Sequence, residues 1–192
     1  EQEDSAPLPY TTKASGNWDR TGDGTPWTHG DSVWDHPNST GVNGGAIDWN
    51  IVEINGTDFV TSVGSEHNSN PLIPLTVLGL IVDPNGKLVV TNTGKPQDET
   101  NDGQGLWVTH YLKLDGFMDL VGESQLVQKR YTPTQVSESI LDVDSSGFLE
   151  RDQQGTNNPF NYNYWGSPVG PQTVGTNNNP RSLDAVLRDG TT

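Results

Sequence analysis

Apolar residues recur along this chain at every second position in short bursts, and glycine separates the bursts. Residues 111–128, YLKLDGFMDLVGESQLVQ, show the pattern most plainly. Leu112 and Leu114 alternate with polar neighbours, Gly116 interrupts, Met118 and Leu120 resume, and Gly122 interrupts again. A period of two sends alternate side chains to opposite faces of an extended strand. The same reading predicts strands at 51–54, 59–60, 75–82, 87–91, 140–143 and 148–151, and three short strands within 106–128. Between them lie turn residues: Asn55-Gly56, then Asp83-Pro84-Asn85-Gly86, then 145–147. Proline presets the first central position of such a turn, and Asn-Gly accepts the positive φ that follows.

Three segments repeat one format. GLIVDPNGKLVV, YLKLDGFMDLVG and SILDVDSSGFLER each read strand, glycine-ended turn, strand. They follow one another at about 30 residues, a spacing that signals stacked architectures. In 112–128 the corners have one or two residues and the strands three or four, which makes poor hairpins. The expected fold is therefore all-β, a right-handed parallel β-solenoid (β-helix) with equivalent residues stacked in ladders. An antiparallel β-sandwich, with each glycine turn closing a hairpin, is the alternative.

Composition narrows the picture. Only 30% of the 192 residues are apolar, while Gly (22) and Pro (13) are plentiful, which favours turns over long helices. Six tryptophans nevertheless supply core material that a disordered chain lacks. Trp18, Trp27 and Trp34 sit among Gly, Pro, Asp and Thr in the first fifty residues. That stretch reads as an irregular cap whose indoles cover one end of the core. The expected organisation is a Trp/Gly-rich cap at 1–50, solenoid coils at 51–155, and at 156–192 an aromatic segment leading into a following β-domain. The run Phe160, Tyr162, Tyr164, Trp165 is assigned to the open lower end. A second reading gives Trp27, Trp34, Tyr162, Tyr164 and Trp165 to sugar rings by stacking.

A net charge of −15 repels phosphate backbones and anionic headgroups, so nucleic acid is not an expected partner. The longest apolar run, 75–82, is strand-length, and no membrane insertion is expected. Cysteine is absent, which removes disulfides and thiol chemistry. The start, EQEDSAPLPY, reads as a mature end left by cleavage or a cut within a longer chain.

Catalytic patterns are thin. His29, His36, His67 and His110 form no HxH or HExxH spacing, and no GxSxG or phosphate loop occurs. Asp115, Asp119, Lys113 and Arg151 are the charges that a β-helix enzyme would array on one outer face, but alternation already explains them as the solvent side. The expectation is no enzyme and no catalytic residue. DVDSSG begins like a calcium loop, with Asp142, Asp144 and Ser146 as the donors, though Gln153 stands where its closing glutamate belongs. A plain turn is the other reading. DETNDG (98–103) and DRTGDG (19–24) also bunch oxygen atoms on loops. Ca²⁺ is the one cofactor that these residues suggest.

YTTKASGNWD with WTHGDSVWD, then GLWVTHYLKLDGFMDLVGESQLVQ, then LERDQQGTNNPFNYNYWGSPVG together resemble a module of very large Bacteroidota cell-surface proteins. Those proteins are exported by the type IX secretion system and described as adhesins or gliding-associated proteins. The resemblance covers residues 10–169. Its most specific part is the YNYW-S-SPV signature, at Tyr162, Asn163, Tyr164, Trp165, Ser167, Pro168 and Val169, with Gly166 where relatives carry a second serine. It implies an extracellular, non-enzymatic module of cell adhesion or gliding motility. Its implied partners are type IX components during export, with surface glycans or self-association thereafter. It also implies a longer parent chain, of whose next β-domain residues 185–188 would be the first strand. A carbohydrate-binding or carbohydrate-cleaving β-helix is the alternative function.

Overall fold

The computed structural model describes residues 9–18, 23–28, 51–61, 75–92, 94–96, 98, 100–128 and 139–151. The described residues are all-β, with strands and turns but no helix among them. Eleven strands follow in order: β1 (Pro9–Thr11), β2 (Gly16–Asn17), β3 (Ile51–Ile54), β4 (Phe59–Thr61), β5 (Leu75–Val82), β6 (Lys87–Val90), β7 (Gly105–Leu114), β8 (Phe117–Leu120), β9 (Gln125–Gln128), β10 (Ile140–Leu141) and β11 (Phe148–Arg151).

Strands from β1 to β8 go alternately to two sheets. One sheet runs β1-β3-β5-β7-β10, with β9 on the other half of the β7 edge; the second runs β11-β8-β6-β4-β2. Every pairing between the described strands is parallel. The antiparallel contact among them is a single bridge between Thr12 and Trp27. The hairpins of an antiparallel sandwich are thus not what the glycine turns make. Asp83 to Gly86 shows why. Asn85 takes φ 69° and the Gly86 amide donates to Asp83 O at 2.9 Å, so the turn is closed locally. The Asp83 amide, however, donates to Ile54 O at 2.9 Å in the preceding strand, and β6 leaves for the other sheet. The turn is a corner between sheets.

Register converts sequence alternation into ladders. Tyr10, Val52, Leu80, Leu112 and Leu141 align across the first sheet. Val60, Leu88, Met118 and Leu149 align across the second. Val52, Leu80, Leu88 and Met118 are fully buried and meet in one apolar cluster with Ile54, Val82 and Leu114. Burying each such side chain stabilises by about 1.5–3 kcal/mol.

The segment expected as an irregular cap contributes β1 and β2, so it joins both sheets. Trp18 and Trp27 enter the core with rings 5.0 Å apart at 80°. The Trp27 Nε1–H donates to Trp18 O at 2.8 Å, which satisfies the polar edge of a buried indole. Residues 156–192, including the whole aromatic run, lie outside the described residues.

Two strands differ by more than one residue from the lengths that the sequence predicts. β7 has ten residues instead of three or four, because a bulge lets it run on: Val77 pairs Val108, but Gly79 pairs Tyr111. The extra residue buries Thr109 and exposes His110, against the alternation that Leu106, Val108, Leu112 and Leu114 keep. β10 has two residues where 140–143 was expected, because Asp142 turns the chain with its own carboxylate.

Candidate functional site

The calcium-like loop is built around Asp142. Its Oδ1 accepts the Asp144 amide at 2.8 Å, and its backbone carbonyl accepts the Ser145 amide at 3.1 Å, an Asx-type turn. Its Oδ2 accepts the Tyr111 hydroxyl from β7. Ser146 turns away, its amide and hydroxyl both reaching Asp115 Oδ1, at 3.1 and 3.3 Å. Ser145 Oγ accepts the Leu114 amide at 3.0 Å. The loop's oxygens thus serve to lock one corner onto the preceding one. Among the described residues no three His, Asp, Glu or Cys side chains converge as a metal group. Asp142 and Ser146 spend their side chains on protein hydrogen bonds, so the donor set does not fit Ca²⁺ without rearrangement.

That network sets two titrations. The Tyr111 hydroxyl, followed by the Asp144 amide, holds the Asp142 carboxyl below the usual carboxylate range. The bond to Asp142 and then burial push the Tyr111 phenol above its ordinary value, and the Asp142, Asp115 and Asp144 charges add to this.

The aromatic candidates fall into two groups. Trp27 is fully buried between Trp18 and Tyr10 and offers no face to a sugar. Trp34, Tyr162, Tyr164 and Trp165 lie outside the described residues, as do His29, His36 and His67. The charged candidates stand on the outer faces. Lys113 Nζ is 3.5 Å from Asp115, and Lys87 Nζ is 3.4 Å from Asp119. No opposed pair of carboxylates emerges among them. Arg151 is exposed in β11, beside Leu120 in register.

Three features escaped sequence reading. Lys87 stands between two aromatic rings of the neighbouring strands, 5.4 Å from the Phe59 centroid and 4.7 Å from that of Phe117. Only register brings these three into one column.

Asn101, in the loop between β6 and β7, is fully buried. Its Oδ1 accepts the Asn92 amide at 3.1 Å and the Gly103 amide at 2.8 Å. Its Nδ2 donates to Thr91 Oγ1, Asn92 O and Pro96 O at 3.1, 3.0 and 2.6 Å. The DETNDG oxygens are part of this loop: Asp98 caps Thr100, which keeps the Asp98 carboxyl low, and Asp102 accepts Asn92 Nδ2 at 2.7 Å.

The third is the β7 bulge itself, which turns His110 into solvent between the half-buried Trp107 and Tyr111.

Comparison of the chain with protein-family models, with curated proteins and with solved structures finds no significant match.

Proposed function

We propose that this chain is a structural and adhesive module of a large bacterial cell-surface protein exported by the type IX route, and that its paired sheets are successive coils of a right-handed parallel β-solenoid. The observation that carries the reading is the unbroken parallel pairing of strands that alternate between two sheets. Parallel neighbours need a crossover, and the crossover here is the remainder of each coil; a right-handed sense follows the general preference of such connections. Stacked coils give a stiff spacer, since each layer covers the apolar edge of the one before. The YNYW-S-SPV signature supports the surface role and the export route. An acidic, cysteine-free exterior suits a protein that must stay soluble outside the cell.

On this reading the chain performs no catalysis, requires no cofactor, and meets export components only in transit. Immunolabelling of intact cells, with and without an inactivated type IX pathway, tests it: surface label that disappears with the pathway is expected. Label confined to the cytoplasm in both strains defeats it. A carbohydrate-cleaving β-helix is the competing function, and turnover in a reducing-sugar assay, abolished by replacing one carboxylate, is the result that favours it.

A further inference from the structure

The outward side of β7 gathers two aromatic residues and a histidine. Trp107 stands between Thr76 of β5 and Val127 of β9. Tyr111 stands between Gly79, which places no side chain beside it, and Ile140 of β10. Between the two aromatics the bulge inserts one more residue and exposes His110. Bulges re-aim side chains and concentrate where proteins bind ligands. Behind the imidazole, the buried Thr109 Oγ1 lies 3.3 Å from Val77 O and 3.1 Å from His110 Nδ1. That contact holds the plane of the imidazole. Further along the same side, the Lys113–Asp115 pair adds a cation and a carboxylate.

We propose that this strip, Trp107–His110–Tyr111, is a binding site for an uncharged oligosaccharide. The proposal rests on the adhesive reading and gives it a place and a ligand class. Sugar rings present apolar C–H faces and rims of hydroxyls, and a site for them combines aromatic surfaces with a few oriented donors and acceptors. Trp107 and Tyr111 supply the surfaces. At about 3.3 Å per residue they are roughly 10–13 Å apart along the strand, the reach of a short oligosaccharide and not of one ring. His110, the Tyr111 oxygen and Lys113 supply the polar contacts. The −15 net charge opposes uronic-acid or sulfated glycans, which leaves neutral ones.

Calorimetric titration of the full chain with neutral glucan, xylan and mannan oligosaccharides, and with hyaluronan and polygalacturonate as acidic comparisons, tests the site. At least one neutral series binds, and Trp107→Ala weakens it by at least about tenfold. His110→Ala, at an exposed position, weakens it by about fivefold with an unchanged melting temperature, while Phe59→Ala on the other sheet leaves it intact. Should Trp107→Ala lose its fold, His110→Ala decides alone. Binding of no neutral series, preference for the acidic glycans, or a bound neutral glycan held within about twofold by folded Trp107→Ala and His110→Ala overturns the site. None of these outcomes bears on surface localisation, which the labelling of intact cells decides separately.

Discussion

Gly116 rests directly on Gly86 of the preceding strand pair. The Phe117 amide donates to Gly86 O at 2.9 Å, and a Cβ on Gly116 would overlap that same oxygen. Gly147 repeats the arrangement on Gly116, whose carbonyl accepts the Phe148 amide at 2.9 Å. These corners stack backbone on backbone, and this is why glycine stands at 116 and 147.

Gly116→Ala is expected to destabilise by more than about 2 kcal/mol, since the obstructing atoms are backbone and cannot swing aside. Gly79→Ala is its control. There a Cβ would meet Ile51 Cγ2 at 3.6 Å and Tyr111 O at 3.7 Å, ordinary contact distances. That change should be neutral or stabilising by about 0.4–1 kcal/mol, through a less flexible unfolded chain. Urea midpoints of the two variants check the contrast; equal losses at both sites remove the stacked-corner account.

The inward ladders predict a second contrast. Leu80→Ala removes a fully buried side chain between Val52 and Leu112, and should cost about 2–5 kcal/mol. Phe148→Ala, at the edge strand where the ring is 73% exposed, should cost less than about 1 kcal/mol. Thermal denaturation followed by circular dichroism measures both.

Asn101 tests the loop between β6 and β7. Asn101→Ala strands the buried Asn92 and Gly103 amides, and each orphaned donor costs about 1–3 kcal/mol. Asn101→Asp is more informative. Its carboxylate would face the carbonyl oxygens of Asn92 and Pro96, which favours the protonated acid. Its folded pKa then lies above the unfolded value near about 3.9, so the variant's deficit is smallest below that value and grows as pH rises through the folded one. Unfolding midpoints across acid pH report it; a deficit constant with pH contradicts the burial of this amide among acceptors.

The Tyr111–Asp142 bond has a titration signature at both ends. Asp142 is depressed in the fold, so its contribution is present above the unfolded carboxylate value and is lost as pH falls through the lower folded one. Tyr111 is raised, so its contribution is present below the unfolded phenol value near about 10 and is lost as pH rises through the folded one. The stability gap between the native chain and Tyr111→Phe should therefore be widest in the neutral range and close towards both extremes. In tyrosinate absorbance one phenol should ionise late, and Asp142→Asn should return it towards its ordinary value. A native titration that already lacks the late phenol refutes the bond.

Much of this architecture is legible in the sequence. The alternation in 51–54, 75–82 and 117–120 gave strands where strands are found, because a period of two has one physical meaning. DPNG reads as a turn, and Asn85 does carry the positive φ. Local chemistry could not say whether the turn joins paired strands or rounds a corner, since both begin with the same dihedral angles. Nor could spacing foresee the β7 bulge: Thr109 and His110 look like one more step of alternation, and only the mismatch against Val77 and Gly79 makes them two residues opposite one. Trp27 reads first as part of a cap over the core and second as a surface for a sugar. Its burial depends on Trp18 and Tyr10, nine and seventeen positions away.

Residue type and near-neighbour period are enough to write the all-β class, the positions of most strands, the glycine corners and the acidic exterior. Which strands meet, in which direction and in what register, is settled only when the chain folds. Those choices bring Lys87 between Phe59 and Phe117, Tyr111 onto Asp142 and His110 out of the sheet. Their cause is physical. Pairing energy belongs to backbones far apart along the chain, and its sign at each side chain is fixed only when the neighbouring strand is in place.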